Sequence, residues 1–327
     1  RETAKKHWVS TKALPKGHSL TSGDLVMKRI PTEEVGAGAI EMDKLVGREL
    51  LRDINEEHAF VRLDVKQTVW ALPVARVASA RLPGKALLDV AGIPALGHLF
   101  GRLKRIECID KIVFCTTSET DCGPLATLAE EHDIECHRGP VEDVLARMLG
   151  AIEGKSVDIV LRVTGDDILI DKDYVKRAVD HHLSTNTEYS EVKDLPSGTE
   201  VEIFDAQLLW DIWSVAMGTS GTEYLTLFVT ENADQFRTEI VPVDTYHTRD
   251  FRLTLDTSED LQVIRLLLEE MRRQGKALDY NMDDIVRFFE ENPETLEINS
   301  AVRQRSRPVI VDTRLDWRRP KQSSVSI

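Results

Sequence analysis

Three apolar runs of strand length, each ending in a polar loop and separated by segments of helical pattern, constrain this chain most. Val69 to Val74, Lys111 to Thr116 and Val157 to Val163 are the runs, and helical patterns over Thr120 to His132 and Asp173 to Leu183 alternate with them. Strand, helix, strand in this order predicts right-handed βαβ crossovers and a mainly parallel sheet with helices on both faces. Such a sheet binds ligands beyond the carboxyl ends of its strands. The residues just after each run are therefore the ones that carry chemistry.

After the first run come Ala75, Arg76, Ser79, Arg81, Pro83, Gly84 and Lys85. Arginine offers phosphate a planar fork of donors, lysine a compact charge, and glycine a close backbone approach. The loop reads either as a polyphosphate cradle or as a solvated basic loop. After the third run come Thr164-Gly165-Asp166-Asp167, then Asp171 and Asp173. Carboxylates at a strand end suit a hard cation such as Mg2+, which takes one or two of them and completes its shell with water and phosphate oxygens. A further run, Phe251 to Leu255, ends in Asp256-Thr257-Ser258-Glu259-Asp260, where Asp256 taken alone reads more readily as part of a helix cap than as a metal ligand.

Together these segments resemble the sugar-activating cytidylyltransferases. Arg76 to Lys85 is similar to the signature loop of the enzymes that make CMP-sialic acid and CMP-Kdo. More of the chain resembles the spore coat polysaccharide branch: Arg138-Gly139 followed by Glu142 to Leu145 and Arg147, Arg162 to Asp171, Pro196 to Phe204, Glu223 to Thr226, and Leu255 to Leu261. The resemblance spans about Val69 to Glu297. It implies an α/β, Rossmann-like nucleotide-diphospho-sugar transferase fold. It also implies that CTP binds at Ala75, Arg76, Ser79, Arg81, Lys85, Arg138, Asp143, Arg147 and Asp166, with Arg76, Arg81, Lys85 and Asp166 catalytic. Asp166 and Asp256 would hold Mg2+, and Glu200, Glu202 and Glu223 would line the sugar pocket. For Glu142, Asp143 and Arg147 a plain charged helix face is an equal alternative. Two departures stand out: Asp167-Ile168 replaces a common Cys-Pro pair, and Thr222 and Tyr224 flank Glu223 where Arg and His are usual.

Residues Lys6 to Asp64 read instead as short strands and turns, and resemble the antifreeze-like or SAF domain that closes sialic acid synthases. There an arginine reaches a neighbouring synthase barrel to touch the sugar, and Arg29 is its match, although Ile30 intervenes before Pro31 and a plain surface cation is an equal alternative. The resemblance implies a small β-rich, β-clip domain over residues 1–66 and a cytidylyltransferase domain over 67–310, and the fading helical pattern after Glu291 predicts a mobile tail over 311–327. The resemblance further implies that the chain is the C-terminal part of a fusion with an upstream sialic acid synthase barrel. Weak contact between the domains is then expected, so that deleting residues 1–66 would leave sugar activation intact. No internal repeat is expected.

The 327 residues, 42% of them hydrophobic, suffice for two cores, and a net charge of -14 argues against nucleic acid or an anionic membrane as partner. Cations for a nucleotide must then be gathered locally. Cys108, Cys115, Cys122 and Cys136 lack CxxC spacing, which points to free thiols and a cytoplasmic enzyme. Trp210 and Trp213 have core spacing, and His181 and His182 are expected to face the last carbonyls of their helix. Segments Glu200 to Phe204 and Phe236 to Val243 are expected to pair as strands near the sugar pocket and a homodimer contact. The expected activity is transfer of CMP from CTP to a small sugar acid. Its rivals are the same fold with another nucleotide or acceptor, and a non-catalytic assembly module.

Overall fold

The computed structural model describes residues 4–31, 40, 42–79, 81–219, 225–303 and 312–318. At the N-terminus, β1 (Ala4–Ser10) and β2 (Leu25–Pro31) form an antiparallel hairpin. Beside it a separate core gathers Leu14, Leu20, Leu45, Leu50, Ile54, Phe60 and Val65. The unit is built from a duplicated motif, contrary to the expectation of no repeat. Leu14 and Ile54 exchange backbone hydrogen bonds of 2.8 Å. His18 Nε2 lies 2.9 Å from Asp24 and His58 Nε2 lies 2.7 Å from Asp64, each carboxylate also accepting the backbone N–H three residues before it. The copies share no obvious letters beyond His and Asp, so geometry reveals what identity conceals.

Asp24 and Asp64 are buried, and both titrate below the usual carboxylate range. For Asp24 the main cause is the His18 hydrogen bond. For Asp64, burial pushes upward, but His58, the Val61 N–H and Arg52 outweigh it. Groups depressed in the folded state stabilise it fully above the ordinary carboxylate value of about 4 and lose that contribution as pH falls through their folded values. Melting temperature measured from pH 7 down to 3 is expected to fall below about pH 4. Asp24→Asn and Asp64→Asn should lower it at pH 7 and flatten the acid limb.

The larger unit is a seven-stranded sheet made from β3 (Val69–Val74), β6 (Lys111–Thr117), β7 (Glu135–Gly139), β8 (Ile159–Thr164), β9 (Tyr189–Glu191), β10 (Glu202–Asp205) and β11 (Thr238–Ile240), in the order β11-β9-β10-β8-β3-β6-β7. A small hairpin, β4 (Asp89–Val90) and β5 (Ile93–Pro94), stands apart. Strands β8, β3, β6 and β7 are parallel, whereas β10 is antiparallel to both its neighbours. Val69 and Ala71 face one core and Trp70, Leu72 and Val74 the other, which is why β3 reads as an unbroken apolar run. Pro73 sits in this central strand where the pairing to β6 lapses between Ala71 and Val74, so its missing N–H costs no bond there.

Helices α1 (Ala95–Leu103), α2 (Gly123–Glu131), α3 (Val144–Ile152), α4 (Lys172–Thr185), α5 (Ala206–Val215), α6 (Thr226–Thr230), α7 (Ser258–Arg273), α8 (Met282–Glu291) and α9 (Glu294–Glu297) complete the unit. Two expectations need correction. The segments around β10 and β11 do not pair with each other, because β9 lies between them. Residues 312–318, expected in a mobile tail, dock on α5: Met217 N–H donates to Arg314 O and Asp316 N–H to Val215 O, at 3.0 and 2.7 Å. Trp210 and Trp213 pack edge to face against the second core, as their spacing suggests.

The expectation of weak contact between the two units is also corrected. Arg48 makes a two-pronged pair with Asp158, at 2.6 and 2.5 Å. Arg62 Nη2 lies 2.5 Å from Asp205 Oδ1, and its Nη1 donates to Thr187 O at 3.1 Å. The side chains of Arg62 and Asp205 are only 6% and 8% exposed. His182, rather than facing helix carbonyls, is fully buried with Nε2 3.1 Å from Asp205 and Nδ1 2.9 Å from Ser190 Oγ. Burial holds its imidazole below the ordinary range despite the carboxylate beside it.

Candidate active site

Chain order around β3 creates the site. From β3 the chain moves outward to β6 and β7, then returns to β8 on the other side of β3. The loops after β3 and β8 therefore flank the point where strand order reverses. Val74 pairs with Thr164 in register, and Gly165 N–H donates to Val74 O at 2.8 Å. A Cβ on Gly165 would stand 2.6 Å from that of Ala75, so only glycine lets these loops meet. Gly84 turns the first loop back at φ +67°, in the left-handed region. The third loop joins them where Leu255 N–H donates to Asp166 O at 2.9 Å.

The expected ligands converge. Lys85 Nζ lies 2.8 Å from Asp166 Oδ2 and 2.7 Å from Asp256 Oδ1. Arg81 Nη2 reaches Asp256 Oδ2 at 2.5 Å, and Arg252, which the sequence did not single out, reaches the same oxygen at 3.2 Å. Burial pushes the Asp256 carboxyl upward, but Lys85, Arg81 and Arg252 outweigh it and hold it below the usual range. Burial pulls the Lys85 ammonium down, but Asp166 and Asp256 outweigh it and hold it above its usual range. The capping alternative for Asp256 fails: Thr257 caps α7, accepting from Asp260 N–H, and Asp256 is left to face the rim.

The second group of expected nucleotide residues is used structurally. Asp143 caps α3 by accepting from Ala146 N–H at 2.8 Å and also accepts from Thr219 Oγ1. Arg147 is buried and turns back to the Pro140 and Val141 carbonyls rather than pairing along its helix. Burial, with Arg76 nearby, holds its guanidinium below the usual range. Arg138 donates to the Thr117 and Glu119 carbonyls. Ser79 Oγ accepts from Leu82 N–H at 3.4 Å, bracing the cation loop.

On the other flank, Glu202 pairs with Arg162 and accepts from Tyr189 and Thr226 hydroxyls, a spent carboxylate. Glu200 is half-buried, and burial followed by Asp167, Glu191 and Glu202 pushes it up to about 8. Asp167, standing where the resemblance has cysteine, accepts from Thr164 and is pushed up to about 7 by burial and then by Asp166. Glu223 lies outside the described residues. Arg29 is exposed on β2, in the unit that docks at the opposite edge of the sheet, and is not brought to this rim.

Both Asp166 and Asp256 offer an oxygen to one cationic centre, a hard donor set that fits Mg2+. The three-residue group Glu119, Asp121 and Cys122 fits less well, since Cys122 is a buried thiol in contact with Thr117. All four cysteines are free, and burial pushes Cys108 up to about 11 and Cys115 to about 12, so these two are inert thiols. Among the described residues no helix is long and apolar enough to cross a membrane.

Residues 71–293 match the family described as Cytidylyltransferase, and residues 9–58 match the SAF domain. An uncharacterized protein of Methanocaldococcus jannaschii is 30% identical over 233 residues, 71% of this chain and 94% of that protein. The spore coat polysaccharide biosynthesis protein SpsF of Bacillus subtilis is 25% identical, over 67% of this chain and 93% of that protein. A solved cytidylyltransferase from Leptospira borgpetersenii superimposes with a TM-score of 0.65 at 27% identity, covering 71% of this chain and 97% of that one.

Proposed function

The chain belongs to the cytidylyltransferase family, and we propose that it transfers the CMP group of CTP to a hydroxyl of a small sugar acid. The observation that carries this reading is the meeting of Lys85, Asp166 and Asp256 from three separate loops on one rim. The acceptor oxygen forms a bond to the α-phosphorus in line with the departing pyrophosphate, whose bond to that phosphorus breaks. Such chemistry asks for positioning and charge neutralisation more than for covalent help. Arg76, Arg81 and Lys85 hold the triphosphate oxygens and the charge that develops on pyrophosphate. Asp166 and Asp256 are the residues that would hold Mg2+, which when bound draws charge from the phosphates and acidifies the attacking hydroxyl.

The SAF domain supports a sugar acid as acceptor, by its resemblance to the end of sialic acid synthases. Homodimerisation and an upstream synthase barrel belong to the same proposal, as does Glu200 as a sugar contact. Calorimetric titration of Lys85→Ala and Arg81→Ala with CTP and with cytidine tests the phosphate assignment. Each substitution is expected to weaken CTP by roughly 10-fold or more, the size of a lost charge-assisted bond, and to leave cytidine unchanged. Equal weakening of both ligands would move these side chains to the base or the scaffold. Thermal stabilisation by CTP above UTP, ATP and GTP, followed by pyrophosphate release with a panel of nonulosonic acids and Kdo, identifies the base and the acceptor.

A further inference from the structure

We propose that the N-terminal SAF unit is a positioning element for the catalytic rim, acting through Arg48 and Arg62 on the roots of β8 and β10. The part concerning the rim rests on the cytidylyltransferase reading above. Asp158, gripped by Arg48, immediately precedes β8, and its Oδ2 also accepts Thr68 N–H at 2.7 Å just before β3. Asp205, gripped by Arg62, is the last residue of β10 and pairs in register with Ile159, the first of β8. Both grips thus lie at one edge of the sheet, on adjacent strands.

At the other edge the same strands carry the site. Asp166 follows β8, Glu200 lies two residues before β10 and Glu202 opens it, and Glu202 both pairs in register with Arg162 and forms an ion pair with it. The two strands are therefore tied at both ends. A third tie runs sideways: His182 links Asp205 to Ser190 of β9, which pairs with Ile203 of β10. Six residues of β8 span roughly 20 Å, so a small tilt at the gripped edge displaces the rim by a comparable small distance. Displacement by about 1 Å at a reacting centre costs up to 10²-fold in rate.

The chemistry of the grips favours this role over adhesion alone. A buried ion pair spends much of its attraction on desolvating its own charges, so net adhesion is a poor account of it. A two-pronged arginine on a carboxylate fixes direction as well as distance, and lysine cannot reproduce it. Both grips use arginine, and each carboxylate sits at a strand root, Asp158 in the bend directly before β8 and Asp205 at the end of β10. They hold the two strands whose far ends face the proposed acceptor.

Arg62→Lys and Arg48→Ala in the full chain test the proposal against Leu14→Ala, which weakens the N-terminal core without touching either grip. Amide hydrogen exchange is followed at 159–166 and 202–205, with β7 as internal reference. Steady-state kinetics use CTP with N-acetylneuraminate and Kdo as probe acceptors. Positioning predicts faster exchange in both segments for the two arginine variants, none at β7, and a rise of roughly 10-fold in acceptor KM/kcat with CTP affinity within about twofold. Leu14→Ala, assayed well below its melting temperature, should match wild type in both readouts. Exchange and kinetics at wild-type values in Arg62→Lys and Arg48→Ala, with only melting lowered, would make the arginines simple fasteners and overturn the proposal. A wild-type protein that binds no CTP and turns over neither probe would refute the cytidylyltransferase reading, and the exchange experiment would still decide the mechanical one.

Discussion

Asp166→Asn is expected to lower turnover by roughly two to four orders of magnitude, about 3 to 5 kcal/mol of transition-state stabilisation, with Asp256→Asn close behind. Each change removes a charge while keeping volume, so the fold should survive, and circular dichroism with thermal melting checks that it does. Both carboxylates face Lys85, and losing either leaves the ammonium one partner in place of two. Ground-state binding of CTP should therefore change less than the rate, because Lys85 and Arg81 are released toward phosphate as the carboxylate charge is lost. The signature is a fall in kcat with a modest change in CTP affinity. The Mg2+ concentration needed for half-maximal rate should rise in both variants. Wild-type rates in both would make Asp166 and Asp256 mere counter-ions for the lysine.

Much of this rim was legible because parallel strands buried on both faces read as continuous apolar runs, and the residues following them must lie at one edge. That sufficed to bring Arg81, Lys85 and Asp166 together from the sequence, whereas Asp256 follows no strand of the sheet, reads locally as part of a cap and joined them only through the resemblance. Asp143 and Arg147 show the limit. An acidic residue before a helix and an arginine four positions on carry one sequence pattern for a nucleotide pocket, a helix-face pair or a cap, and the structure uses them as a cap and a carbonyl clasp. The order of β9, β10 and β11 was equally hidden. These strands have three or four residues each, too short for a period to declare itself, and their neighbours are chosen by distant contacts. Arg48 and Arg62 left no local signal at all, since their carboxylate partners lie 110 and 143 residues away. In sequence they are ordinary surface cations. His182 was visible, but only its helix was known, and the buried Asp205 that determines its role was not.

Arg62→Ala is expected to be the most damaging single substitution for stability. Removing one partner of a buried ion pair leaves the other charge dry and uncompensated, at a cost of about 3 to 5 kcal/mol. In a chain of this size that corresponds to a fall in melting temperature on the order of 10 °C. Asp205 retains His182, yet burial keeps that imidazole below its ordinary range, so it cannot replace the lost cation at neutral pH. The protein has one escape: the N-terminal unit can undock and let water reach Asp205. The loss then stops at the docking energy, and faster proteolysis around residues 65–68 accompanies the lower melting temperature. Arg62→Ala combined with Asp205→Asn should recover part of the loss, since an amide in that place needs no counter-charge, and the double-mutant cycle should give a coupling above about 1 kcal/mol. Deleting residues 1–66 hydrates both Asp158 and Asp205, so it should destabilise the remaining chain less than the buried unpaired charge does. Acid works against the mutation's effect. In the wild type His182 is depressed, so its contribution is complete above the unfolded value of about 6.5 and declines below it, whereas loss of Arg62 frees His182 to take a proton beside Asp205, and the Arg62→Ala defect relative to wild type should shrink between about pH 7 and 5. A double mutant no more stable than Arg62→Ala would show that the arginine acts through Thr187 O and packing, with the charge of Asp205 already satisfied from elsewhere.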